Sequence, residues 1–148
     1  MDLRIVVRAG LAFALAHFVT AVAFGVALHG YLLSDYYLVH EGFWTPWALD
    51  LPERPLAFGG FRLAVSLVLG LLMGFMFRPV RYRFAGGPIW RGLVFSTGVA
   101  ALQVVTALWI STVIDLPPMI WTAWCTELVL TTWAGGAALG WVAGGAAG

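Results

Sequence analysis

Four long apolar runs, 5–33, 57–77, 89–114 and 118–143, dominate this chain and leave it few folds to choose from. About 20 residues of helix cross the hydrocarbon of a bilayer. Lipid offers backbone N–H and C=O groups no partner outside the chain, so only helices and closed barrels span it. These runs are too continuous for barrel strands, which alternate over about ten residues. The chain therefore reads as all-α, a single integral membrane four-helix bundle over residues 1–148, with an outer loop at 34–56 and a cytoplasmic loop at 78–88.

Composition agrees. The 148 residues are 61% hydrophobic and 10% charged, where soluble domains carry about 25% charged residues. A net charge of +1 leaves no basic surface for nucleic acid beyond membrane flanks. The single cysteine, Cys125, excludes an intrachain disulfide and a cysteine-rich zinc site. Arg4, Arg8 and an Ala21-Val22-Ala23 stretch imitate a secretion signal, but the apolar run continues to Leu33, so a retained first span is expected.

Every cation is an arginine, and their placement sets an expected orientation. Arg4 and Arg8 flank the first run, and Arg78, Arg81, Arg83 and Arg91 crowd the second connection. The first connection instead holds Asp35, Glu41, Asp50 and Glu53 against Arg54, and the third holds Asp115. The positive-inside rule then places both termini in the cytoplasm.

Within the runs, polar residues are costly, and an intramembrane acid is by default a functional-site hypothesis. Glu127 is that acid. At 1.5 Å rise per residue, His17 falls about 13 Å from the cytoplasmic boundary, Gln103 about 18 Å from it, and Glu127 about 14 Å from the opposite one. The three are thus expected at one level on three helices, with Thr20, Thr106, Thr126 and Thr131 nearby. Such a cluster either handles a proton or ligand or serves as hydrogen-bonded glue, with Glu127 bonded to Gln103 or His17. Arg62, near the outer end of its run, is expected to pair with Asp115, with Glu53 or Asp35 as substitutes.

Gly70 and Gly74, and Gly136, Gly140 and Gly144, recur every four residues and mark faces for close helix packing, within the chain or against a partner. Two short echoes also occur. Arg8-Ala9-Gly10-Leu11-Ala12-Phe13 is similar to Arg91-Gly92-Leu93-Val94-Phe95, and the Gly70–Phe75 stretch to Gly136–Trp141. In apolar low-complexity sequence, two such matches do not establish a repeat. The outer connection, with Asp35, Tyr36, His40, Glu41, Trp44 and Trp47, reads as an interfacial aromatic belt, or as a lid over the outer mouth. Asp35, His40 and Glu41 lack a diagnostic metal spacing.

No pattern for nucleophilic catalysis, phosphate cradling or zinc proteolysis is present, so catalysis is not the expected role. No cofactor is predicted. Haem b is an alternative through His17 and His29, about 18 Å apart along one helix, with Met73 or a symmetric partner completing the ligation.

The stretch His29-Gly30-Tyr31-Leu32-Leu33-Ser34-Asp35-Tyr36-Tyr37, the aromatic connection, Arg91-Gly92-Leu93-Val94-Phe95 and the glycine-rich last run resemble a group of small four-span bacterial membrane proteins of unknown function. That resemblance implies the architecture and a bacterial inner (plasma) membrane, and carries over no functional residue. The first functional reading is an accessory or scaffold subunit, packed with itself or other membrane subunits and with lipid. The second is a proton-coupled transporter or channel component using Glu127. The third is a haem- or quinone-binding subunit.

Overall fold

Asp2 starts the first helix by accepting a hydrogen bond from the Arg4 N–H at 3.3 Å, satisfying one of the donors that a helix N-terminus leaves open. The computed structural model describes residues 2–39 and 55–145. Helix α1 (Leu3–Phe24) runs without interruption into a π-helical segment, Gly25–Leu32, and is followed by the short α2 (Ser34–Val39). Three long helices follow: α3 (Pro55–Val80), α4 (Pro88–Ile110) and α5 (Pro118–Gly145). The described residues form helices and connections and contain no strand.

Proline and turn chemistry set the boundaries. α4 and α5 each begin on a proline, whose fixed φ and missing N–H suit a first helical position. α3 ends one residue after Pro79. The third apolar run was expected to stay helical to residue 114, but α4 stops at Ile110. There Thr112 N–H and Val113 N–H turn back on Trp109 and Ile110 carbonyls, and the Ser111 and Thr112 hydroxyls cap Leu108 and Trp109.

Among the described residues, three helices are long and apolar enough to cross a membrane: Leu3–His29, Gly59–Val80 and Pro88–Ile110. α5, expected as a fourth span, is not among them although it is the longest helix. Glu127, four threonines and a run of glycines dilute its apolar character.

α1 packs lengthwise against both α3 and α5, and α5 packs lengthwise against α4. Small residues make these seams close. A methyl group on Gly10 would lie 3.1 Å from Leu71 Cα, and one on Gly74 would lie 3.2 Å from Gly10 Cα. Across the other hairpin, a methyl on Gly92 would lie 2.8 Å from Gly140 N. The glycine faces are therefore occupied inside the chain.

The fourth seam differs. α3 and α4 are not packed lengthwise, and they meet where the Phe77 and Phe95 rings touch, centroids 5.2 Å apart. Bulky rings, rather than glycines, make that contact. The bundle is thus closed on three sides, with Phe13, Met73, Phe77 and Leu139 forming its core toward the arginine-rich end. Ala107, Leu116, Ile120 and Trp121 form a second cluster at the opposite end of α4 and α5.

Candidate functional site

Glu127 is held from two sides. Its Oε1 accepts from Arg62 Nη1 of α3 at 3.0 Å, and its Oε2 bonds His29 Nε2 of the π-helical segment at 2.7 Å. With a carboxylate as acceptor, Nε2 carries the hydrogen. The same Arg62 nitrogen donates to the Ala21 carbonyl of α1 at 2.7 Å. One acid and one guanidinium thereby join α1, α3 and α5. The three side chains retain 14%, 24% and 17% exposure for Glu127, Arg62 and His29, so the pairing is largely shielded from solvent.

The winding of α1 explains why His29 is there. Phe13, His17 and Ala21 follow one another at four-residue steps that drift about 40° each round an α-helix, so continued α-helix would turn His29 about 80° away from Ala21. The wider i→i+5 turn underwinds the chain, by roughly a quarter turn over the five residues from Phe24 to His29. That brings the imidazole back toward the Ala21 face, where Arg62 and Glu127 lie. Gly25 opens the space: a methyl there would lie 3.0 Å from Arg62 Nη1.

The expected trio does not assemble. His17 bonds the buried Ser66 Oγ at 3.0 Å and stacks on Phe13. Gln103 Oε1 accepts from Thr132 Oγ1 at 2.8 Å. The depth estimate failed because it took Pro118 as the bilayer boundary. Gly135 packs on Phe13, and Glu127 lies eight residues above Gly135 while His17 lies four above Phe13. Glu127 is therefore about 6 Å further from the arginine-rich end than His17. Two polar levels result: His17 with Ser66 and Gln103 with Thr132 lie within about 1.5 Å of one level, and the Glu127 group lies beyond them.

Other expected partners are also elsewhere. Arg62 meets Glu127 rather than Asp115, which sits on the exposed turn after α4. Thr20, Thr106, Thr126 and Thr131 bond carbonyls four residues back in their own helices. Met73, suggested as a haem ligand, is packed in the core, and His29 Nε2 is directed at Glu127. Asp35 and Tyr36 fall in α2, while His40, Glu41, Trp44 and Trp47 lie outside the described residues. Among the described residues no three His, Cys, Asp or Glu side chains gather as metal ligands.

Sequence reasoning missed His29 as an acid partner, and missed Ser66 and Thr132 altogether. Ser66 lies four residues after Arg62, hence on the same helical face, which was the available signal.

These polar pairs differ in weight. The Gln103–Thr132 bond is between neutral groups, and such interhelical bonds contribute about 0.6 kcal/mol on average in membrane proteins. Thr132→Val is accordingly expected to cost about that much, read as a small shift in detergent-titrated unfolding of the purified protein.

No protein-family model, curated protein or solved structure matches this chain.

Proposed function

We propose that this chain is a four-span protein of the bacterial inner membrane, both termini cytoplasmic, acting as an accessory or scaffold subunit of a homo- or hetero-oligomeric membrane complex. The supporting observation is the saturation of Glu127: each carboxylate oxygen is engaged by a donor from a different helix. An acid used in this way fixes helix register. Moving a proton through it would mean breaking a contact that ties three helices together. The arginine asymmetry supports the orientation. With α5 as a span, Glu127 sits inside the membrane, where such a lock is strongest.

A second reading, proton-coupled transport, draws on the His29–Glu127 hydrogen bond, since a histidine and a carboxylate 2.7 Å apart can share a proton. Glu127→Gln separates the two. It keeps the shape of the side chain and removes its charge. If it releases a co-purifying membrane subunit or dissociates an oligomer, the scaffold reading holds. If assembly survives and proton-linked uptake into proteoliposomes is lost, transport replaces it.

A further inference from the structure

At the arginine-rich end, the last turn of α3, the first turn of α4 and the last turns of α5 line a half-open cavity of about 110 Å³. Arg81 and Arg91 line it from two helices, Phe77, Tyr82 and Pro88 wall it, and Gly140, Ala143 and Gly144 form its floor. Arg81 is held in place: it donates to the Ala143 carbonyl at 3.3 Å and bonds the Tyr82 hydroxyl, with its guanidinium carbon 4.2 Å from that ring's centroid. The Nε of Arg91, like that of Arg81, is sequestered from solvent, and Arg91 Nε has no hydrogen-bond partner among the described residues. A buried charged donor without an acceptor is expensive, and such a group calls for a specific explanation, an unseen ion among them.

The surroundings say what would satisfy it. Residues 78–91 contain four arginines and no acid. Gly87 caps α4 without a side-chain acceptor, so the positive end of that helix faces the same corner. Two arginines lining one small concave space match a phosphate, which accepts several charge-assisted hydrogen bonds at once. The cavity is far too small for a whole lipid. Ile89 and Trp90, both exposed beside Arg91, provide apolar surface where acyl chains would lie.

We propose that this cavity binds a phosphate group, supplied by the head of an anionic phospholipid. Basic pockets between membrane helices recognise such heads. The site stands apart from Glu127 and does not depend on the scaffold reading.

The test uses the full-length protein in phosphatidylcholine nanodiscs titrated with phosphatidylglycerol, with bound lipid counted by native mass spectrometry. Two arginines near the surface imply a preference of roughly thirty-fold for phosphatidylglycerol, saturating at one lipid per chain. Arg91→Gln is expected to lower it about five-fold, while Arg78→Gln, which removes an exposed arginine outside the cavity, leaves it within about two-fold. Added inorganic phosphate identifies the source: retention of the lipid supports the lipid head, and displacement assigns the site to soluble phosphate. Absence of saturable retention by the unmodified chain, or equal losses in the two variants, overturns the proposal.

Discussion

Replacing Glu127 with alanine is expected to destabilise the bundle by about 3 kcal/mol, the low end of the range for stripping one partner from a buried ion pair. The loss comes mainly from what remains. Arg62 would keep its charge in a largely shielded position with the Ala21 carbonyl as its remaining described acceptor, and His29 would lose the acceptor of its Nε2 hydrogen. The residual exposure of Arg62 admits some water, which places the effect at the low end. Arg62→Ala is expected to cost a similar amount, and the double variant clearly less than the sum, because each single change already breaks the shared contact. Detergent-titrated unfolding followed by helical circular dichroism measures all three. A Glu127→Ala cost within about 1 kcal/mol, the value of a solvent-exposed pair, would remove Glu127 from its role as a lock.

Much of this architecture is legible in the chain, and the exceptions have physical causes. The apolar runs located every long helix because the backbone must satisfy itself in lipid. Glu127 was legible as the residue to explain because an acid in such a run is costly. Its partners were not. Matching residues by depth assumes uniform α-helical winding and a helix that starts at the membrane boundary. The π-helical segment breaks the first assumption at His29, and α5, which begins well beyond the level of Arg62, breaks the second. The Arg62–Asp115 expectation failed on level: Asp115 precedes Pro118, which starts α5 nine residues, about 14 Å, beyond the Glu127 that Arg62 meets. Helix count is a local property, whereas the choice of polar partners depends on how helices distant in sequence are set against one another.

The glycine contacts also change the standing of the two short echoes. Gly10 lies against Gly70 and Gly74, and Gly92 lies against Gly136 and Gly140. Each half of the chain thus builds its hairpin by setting one glycine between two others spaced four residues apart. At Gly92 the three nearest atoms are all backbone: the Gly136 carbonyl oxygen, and Gly140 N and Cα at 2.8 and 2.9 Å from where a methyl would sit. No rotamer change can make room, so α4 must move off α5 along a seam that also carries the Gln103–Thr132 and Trp133–Thr97 bonds. Gly92→Ala is therefore expected to cost about 3 kcal/mol, the upper end for overpacking. Gly98, on the same helix with nothing within 4 Å, is the internal control. Gly98→Ala is expected to be neutral or to stabilise by about 0.5 kcal/mol, since it relieves only the helix penalty of glycine. Equal effects at the two positions would mean that α4 and α5 are not held by this close approach. A large loss at Gly92 alone would locate the second hairpin's stability in a contact one methyl group can abolish.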